Sequence, residues 1–220
     1  AVASAGNNKV LVTNASGNLT PLSIGSAGQL LKVNSGANGF EFGTQAAAGV
    51  LQTVRYGTGS SWSQSHSETS FNNINNGATD FDIQITPSSA TNSILLWGQI
   101  NVSQHNNNAY KGTMRIIREN PDGSLTTDLA VGNSYGSRPR GTFWTSTNYG
   151  GYDSVASFAI NDTTHNTTSQ IKYKVQLMAH GNHTIYFNHH NSHGDGNKGY
   201  HGTGFSTIMA QELGHTITDG

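Results

Sequence analysis

The chain contains no cysteine, and this absence excludes several kinds of protein at once. Without thiols there is no disulfide framework, no thiol nucleophile and no zinc site built on cysteine. An extracellular protein that lacks disulfides needs another source of stability, and oligomerisation is one common source.

Charged side chains are also scarce, at 10% of the 220 residues, and the formal net charge is −1. This balance provides no electrostatic attraction for nucleic acid or for an acidic membrane surface. No stretch approaches the roughly 20 apolar residues of a membrane-spanning helix, and the opening residues do not have the charged-then-apolar pattern of a signal sequence. We therefore expect no nucleic-acid partner and no membrane insertion.

Asn, Ser, Thr and 27 Gly supply the polarity instead, a composition that suits β-rich extracellular proteins. Apolar and polar residues alternate in segments such as 81–85 and 171–177, which is the pattern of half-buried strands. No segment shows a capped helical period, so the sequence predicts an all-β sandwich or jelly roll. Strands are predicted over residues 50–56, 81–85, 94–102, 113–118, 125–131, 155–160, 171–179, 184–188 and 205–213.

The first 49 residues differ from the rest because they contain few charged or aromatic side chains. Residues 9–18 and 29–38 are alike, since each is a short apolar run followed by an Asn/Ser/Gly turn, and they predict a repeated hairpin-like unit. Such a unit cannot bury its own apolar face, so we expect sister chains to cover it. Residues 1–49 are thus interpreted as a repetitive β stalk with a connector at 45–49, and 50–220 as a globular tip. The alternative for residues 1–49 is a low-complexity leader without structure.

Three segments resemble tail-fibre proteins of tailed bacteriophages, particularly those of marine and cyanobacterial hosts. Residues 25–34 (GSAGQLLKVN), closing at 40–43 (FEFG), resemble the stalk repeat ahead of receptor-binding tips. Residues 83–96 (IQITPSSATNSILL) are similar to a strand, Thr-Pro-Ser-Ser, turn and strand passage of the tips, although Ser93 stands where relatives often have Lys. The third match is the succession of strands 173–176, 184–188 and 206–213.

This resemblance implies a homotrimer, in which a short intertwined β stalk is followed by jelly-roll-like β-sandwich tips. The implied function is host attachment by a virion structural protein that binds a surface glycan or protein receptor and joins other virion proteins at its N-terminal end. Its implied location is the virion, outside the cell after release. Two alternatives remain open, a secreted lectin-like carbohydrate-binding domain and a head or neck appendage that is not a receptor-binding protein. Deletion of the first 49 residues would distinguish the lectin hypothesis from the fibre hypothesis, because a remainder that stays a stable monomer and binds sugar unchanged would contradict the fibre.

Ten histidines are present and most lie late in the chain. The Gly-rich loop 188–197 holds three of them and a carboxylate: His189, His190, His193 and Asp195. Imidazole is a common ligand of first-row metals, so the three histidines are candidates for a metal site. Because a loop histidine is more often a solvated hydrogen-bonding group, the four residues are first candidates for glycan contact, with no cofactor required.

The second candidate is the stretch 135–152, interpreted as a long irregular loop rich in aromatic residues. Aromatic faces stack on sugar rings, which makes six residues candidate glycan contacts: Tyr135, Arg138, Arg140, Trp144, Tyr149 and Tyr152. The alternative is that Phe143 and Trp144 plug the end of the sandwich or a trimer interface. Trp62 with His66 is a lesser candidate for sugar contact, and Trp97 is expected in the core.

We expect no enzymatic activity from this chain. Glycosidases need paired carboxylates, but most acids here are expected in turns (Asp122, Asp162, Asp195) or beside basic residues (Glu119). The sequence contains no nucleophile elbow, phosphate-binding loop or zinc-protease motif.

Overall fold

The computed structural model describes residues 7–44, 49–67, 69–77, 79–104, 110–147, 154–179, 181, 183–190 and 202–214. These residues form sixteen β-strands and no helix, which confirms the all-β fold. The chain separates into two compact units, residues 1–48 and 49–220. The first contains four strands: β1 (Lys9–Thr13), β2 (Leu19–Ser23), β3 (Gln29–Val33) and β4 (Phe40–Thr44).

The first unit contains two antiparallel hairpins, β1–β2 and β3–β4, and one asparagine organises each turn. The side-chain oxygen of Asn14 accepts from the backbone N–H of Ser16 and Asn18, each at 3.0 Å, while that of Asn34 accepts from Asn38 N–H at 3.2 Å. The Ser16 contact is an Asx turn, in which a short amide side chain substitutes for a backbone partner. The two repeats therefore place an asparagine at the start of each turn, twenty residues apart, although the second loop is one residue longer than the first.

Neither hairpin has a core of its own. No described side chain between residues 7 and 43 is buried. Seven large apolar side chains are about half exposed: Leu11, Leu19, Ile24, Leu30, Leu31, Val33 and Phe40. Two-stranded hairpins are marginal in water unless another surface covers them, so these residues are available for packing.

The second unit has twelve strands: β5 (Val50–Thr58), β6 (Trp62–Ser65), β7 (Asn72–Asn73), β8 (Asp82–Ile85), β9 (Ser93–Gln104), β10 (Tyr110–Glu119), β11 (Leu125–Thr126), β12 (Phe143–Thr147), β13 (Ser154–Asp162), β14 (Ile171–Ala179), β15 (Thr184–Phe187) and β16 (Ser206–Leu213). They form two six-stranded sheets. Sheet I contains β5, β6, β9, β13, β15 and β16, and sheet II contains β7, β8, β10, β11, β12 and β14. The chain crosses repeatedly between the sheets, in the manner of a jelly roll.

The core of the second unit lies between the two sheets. Alternate residues of β9 and β16 in sheet I, and of β10 and β14 in sheet II, are buried there: Ile94, Leu96, Ile100, Ile208, Ala210, Met114, Ile116, Tyr173, Val175 and Leu177. Aromatic pairs join the sheets at two places. Phe143 stacks on Phe158 with a centroid distance of 5.6 Å, and Tyr56 meets Phe81 edge to face at 5.4 Å.

The predicted strands agree with the structure where alternation was strong, as in β14, whose bounds are the predicted ones. The strand predicted over 125–131 is wrong beyond Thr126, because the chain leaves the sheet there and turns at Leu129 and Ala130. The interpretation of 135–152 as wholly irregular is also wrong, since β12 occupies 143–147. Trp97 was expected in the core, but it lies on the outer face of sheet I with 40% of its surface exposed.

A buried ion pair supports the end of β13. Asp162 Oδ2 accepts from Arg118 Nη1 at 2.5 Å and from the Tyr173 hydroxyl at 2.7 Å, and Asp162 Oδ1 accepts from Thr164 N at 2.9 Å. Burial would raise the pKa of Asp162, but the hydrogen bonds from Arg118, Tyr173 and Thr164 outweigh it and lower that pKa. The expectation that Asp162 occupies a turn is wrong, because it ends a strand and is 1% exposed.

A second buried carboxylate, Glu212 on β16, holds the Thr-Pro-Ser-Ser segment. Its Oε1 accepts from Ser88 N and Ser88 Oγ, both at 2.7 Å, and from Asn92 Nδ2 at 2.6 Å, while Oε2 accepts from Gln52 Nε2 at 2.5 Å. The two segments that resemble fibre tips, 83–96 and the last strand 206–213, therefore meet at one fully buried side chain.

Candidate functional site

Trp144 lies on the outer face of sheet II, where strand alternation separates it from its neighbour Phe143. Phe143 points inward onto Phe158, so Trp144 points outward, with 74% of its surface exposed. Strand β10 places Thr113 directly beside Trp144, and β14 places Met178 directly beside Thr113. Three adjacent strands thus present a row of Trp, Thr and Met to the solvent.

The segment 127–142, which contains no strand, folds beside this row and is fixed to β10 by Thr142. Thr142 N–H donates to Met114 O at 2.9 Å, and Thr142 Oγ1 accepts from Ile116 N–H at 3.1 Å. Within the segment, Gly132 N–H donates to Gly141 O at 3.0 Å and closes the loop. A Cβ on Gly141 would clash with the Thr113 methyl group and lie 2.6 Å from Met114 O, so only glycine permits this close approach.

Two arginines from the same segment flank the row. The Arg138 guanidinium lies 4.9 Å from the centroid of the Tyr135 ring, a cation–π arrangement, and Tyr135 is 73% exposed. Arg140 Nε donates to Gly132 O at 2.8 Å, and Arg140 Nη1 lies 3.6 Å from Asp128 Oδ1. The backbone of the loop therefore orients one of the two guanidinium groups.

The row and the loop enclose a cleft of about 970 Å³, here called the Trp144 pocket. Its wall is formed by Trp144, Thr113, Met178, Arg138 and Arg140, together with the backbone around Gly132. This volume lies within the range of ligand-binding clefts, which combine an apolar wall with a few polar groups that orient the ligand. The arrangement is suited to binding, since a flat aromatic face lies beside hydrogen-bond donors.

The structure brings together three of the six residues proposed from the stretch 135–152. Arg138, Arg140 and Trp144 line the pocket, and Tyr135 reaches it only through its contact with Arg138. Tyr149 and Tyr152 lie outside the described residues. Sequence reasoning missed Thr113 and Met178. Each is a single outward-facing residue on a predicted strand, and the sequence does not show which strand lies beside it.

The histidine loop is described only in part. His189 and His190 follow β15, while His193 and Asp195 lie outside the described residues. His189 Nδ1 lies 2.9 Å from Phe187 O, and the His189 ring meets Tyr186 edge to face at 5.5 Å. The described part of the chain contains no cluster of three or more potential metal ligands. Because His193 lies outside that part, the histidine metal site stays a prediction.

Asn188 fixes the backbone just before these histidines. It adopts a left-handed conformation with φ of 61°, and its Nδ2 donates to Thr58 O and Ser60 O at 2.9 Å. Its Oδ1 accepts from Ser206 Oγ at 2.6 Å. A small cleft of about 190 Å³ lies beside it, lined by Asn101, His189 and residues 202–204. The loop therefore starts from a rigid anchor.

The lesser candidate pair, Trp62 and His66, is turned into the sandwich rather than toward solvent. Trp62 stacks on Phe187 at 4.8 Å, and His66 is 2% exposed with its Nδ1 3.2 Å from Leu177 O. Burial lowers the pKa of His66 from 6.5 to about 4, against the opposing effect of the Leu177 hydrogen bond. His66 is therefore a neutral core residue, and the proposal that it contacts sugar is wrong.

Comparison with known proteins gives only distant similarities. No family model matches the chain, and no curated protein matches it. Among solved structures, the chain is similar to the Gx strain of infectious bursal disease virus, at 14% identity and a TM-score of 0.38, over 82% of this chain and 40% of that chain. It is also similar to a mutant VP2 protein of that virus in derived T=1 particles, at 14% identity and a TM-score of 0.32, over 89% of this chain and 42% of that chain. The chain thus spans about two fifths of the length of these viral chains, and the similarities do not identify a family.

Within the residues that the structure describes, no helix is long and apolar enough to cross a bilayer.

Proposed function

We propose that this protein is a virion structural fibre protein that attaches a tailed bacteriophage to its host by binding surface glycans in the Trp144 pocket. The observation that carries the proposal is the exposure of Trp144, a large flat side chain on a sheet surface beside a cleft of about 970 Å³. The resemblance of the hairpin repeat to fibre stalks and of the Thr-Pro-Ser-Ser segment to fibre tips supports the viral setting.

The physical argument for a glycan is the combination of surfaces in the pocket. One face of a sugar ring carries C–H groups, which pack on an aromatic ring, whereas its hydroxyl groups need hydrogen-bond partners. Trp144 and Met178 offer the apolar contact, while Thr113 and the arginines offer polar groups within the same cleft. A rigid β-sheet holds Trp144 and Thr113 in register, so little conformational entropy is lost on binding.

The proposed stalk function is to trimerise the chain. The two hairpins expose seven large apolar side chains and bury none of the described ones, so they need a partner surface. Three copies of the same chain would provide that surface, and residues 1–49 would then form the shaft that carries three tips. Light scattering of the full chain at micromolar concentration should give three times the 23.3 kDa chain mass. A monomer would contradict the fibre and favour the secreted lectin.

The glycan proposal is tested on an array of host-surface glycans with the full chain, Trp144→Ala and Trp97→Ala. Both substitutions remove an exposed tryptophan from the outer face of a sheet, but Trp97 lies on sheet I, away from the pocket. Loss of binding in Trp144→Ala with retention in Trp97→Ala supports the proposal. Equal binding by all three proteins would refute this site.

A further inference from the structure

We propose that the Trp144 pocket selects an anionic sugar, one that carries a carboxylate or a sulfate group. This inference rests on the proposed glycan-binding function and specifies its ligand class. It starts from the charge of the pocket wall, which is unusual for a chain with a net charge of −1.

The residues that line the pocket include two arginines and no acidic side chain. The chain has five arginines in all, and two of them, Arg138 and Arg140, face this one cleft. Among the described residues, Asp128 pairs with one of these arginines: it lies outside the lining, at 3.6 Å from Arg140, and 75% of its side chain is exposed. One exposed acid at this distance leaves the cleft with a net positive charge.

Two lysines on sheet II are neutralised by acids. Lys174 Nζ lies 2.6 Å from Glu119 and 3.5 Å from Asp80, and Lys172 Nζ lies 3.8 Å from Asp82. In contrast, Arg138 forms no ion pair with any residue that the structure describes. Arg115 on β10 likewise forms no ion pair within the described chain, but it is held by the Phe71 ring at 4.1 Å and by Gln176 Oε1 at 2.9 Å, and it does not line the pocket. Arg138 and Arg140 therefore give the pocket a positive charge that no acid in its own lining neutralises.

The two guanidinium groups are also partly oriented before a ligand arrives. Stacking on Tyr135 restricts Arg138, and the hydrogen bond from Nε to Gly132 O restricts Arg140. A planar guanidinium donates two parallel hydrogen bonds to a carboxylate or to two sulfate oxygens, which a neutral sugar cannot accept in the same way. Trp144 would then bind the ring, while the arginines bind its anionic substituent.

The test measures binding of the full chain to three polysaccharides, polygalacturonate, dextran sulfate and neutral dextran, at low and moderate salt. We expect the anionic polymers to bind more tightly than dextran and to weaken as salt is added. The variant Arg138→Gln/Arg140→Gln should lose about tenfold or more in affinity for the anionic polymers, since charge-assisted hydrogen bonds are lost. Arg55→Gln is the matched control, because Arg55 also stacks on an exposed aromatic ring, Phe205 at 5.2 Å, but belongs to sheet I.

The outcomes separate this inference from the proposed function. If polygalacturonate binds more tightly than dextran sulfate, the anionic group of the ligand is a carboxylate, and if dextran sulfate binds more tightly, it is a sulfate. If dextran binds as well as both anionic polymers, and only Trp144→Ala weakens it, the pocket binds neutral glycans and the inference is overturned. If none of the polymers and no arrayed glycan binds, both proposals fail.

Discussion

Replacing Glu212 by Gln should destabilise the second unit by about 3 kcal/mol at neutral pH. The carboxylate is fully buried, and burial alone would raise its pKa. Hydrogen bonds from Gln52, Asn92 and Ser88 outweigh this effect and lower the pKa from 4.5 to about 2. A shift of this size corresponds to about 3 kcal/mol of folding free energy, because each unit is worth about 1.4 kcal/mol.

The glutamine side chain fits the same space but cannot satisfy all the donors. An oxygen in place of Oε1 would still accept from Ser88 and Asn92, but without the negative charge that strengthens these bonds. Its NH₂ group would then face the Gln52 amide, which already donates to Thr86 O at 2.7 Å and cannot turn without losing that bond. Two NH₂ groups, that of Gln52 and that of the introduced glutamine, would then face each other in the protein interior without an acceptor between them.

The assay is urea unfolding followed by tryptophan fluorescence, which reports on the second unit because all three tryptophans lie there. Since the folded pKa is depressed, the contribution of Glu212 is complete above about pH 4.5 and is lost as the pH falls toward 2. The difference between wild type and Glu212→Gln should therefore be constant from pH 7 to 5 and shrink below pH 4.5. The control is Asp128→Asn, an exposed carboxylate that should change stability by less than about 1 kcal/mol. If Glu212→Gln is as stable as this control at pH 7, the buried carboxylate does not hold the segment as described.

Three further predictions concern the core and the pocket. The pKa of His66 is near 4 in the folded protein, below its ordinary 6.5, so between these pH values only the unfolded chain binds the proton. The free energy of unfolding of the wild type should therefore fall by about 3 kcal/mol from pH 6.5 to 4. His66→Phe should remove most of this pH dependence in the same urea assay. Asp162→Ala leaves Arg118 buried without a counter-charge and should cost about 3–5 kcal/mol, and a calorimetric melting temperature equal to that of wild type would contradict this role. Gly141→Ala forces the loop away from Thr113 and Met114. Glycan binding should therefore weaken about tenfold or more, while the melting temperature changes by only a few degrees. Unchanged binding would show that the position of the loop does not matter for binding.

The sequence predicted the fold where a strand has one buried face. β14 could be bounded because Ile171, Tyr173, Val175 and Leu177 alternate with polar residues, and the sandwich buries those four side chains. β12 was missed because its Phe and Trp read as loop aromatics, although the run Phe-Trp-Thr-Ser-Thr has strong strand propensity. Trp97 was wrongly assigned to the core for a related reason, since the periodicity of an apolar strand does not show which of its faces is exposed to solvent.

The pocket could be predicted only in part. The aromatic and cationic residues of the loop were recognisable by composition, but Thr113 and Met178 join them through strand pairing between distant parts of the chain. The buried carboxylates were not predictable, because Glu212 and Asp162 become anchors only when donors from Gln52, Ser88 and Arg118 meet them in space.

The position of β16 has a consequence for the biogenesis of this protein. β16 lies inside sheet I, between β5 and β9, so the last described strand separates two of the earliest strands of its unit. Until residues 206–213 leave the ribosome, β5 has no partner strand in the sheet, and Gln52, Ser88 and Asn92 lack the carboxylate that joins them. Such long-range pairing makes folding slow, because sheet I cannot form completely before β16 is available. A premature stop even a few codons before position 212 should therefore yield an aggregation-prone chain rather than a shortened tip.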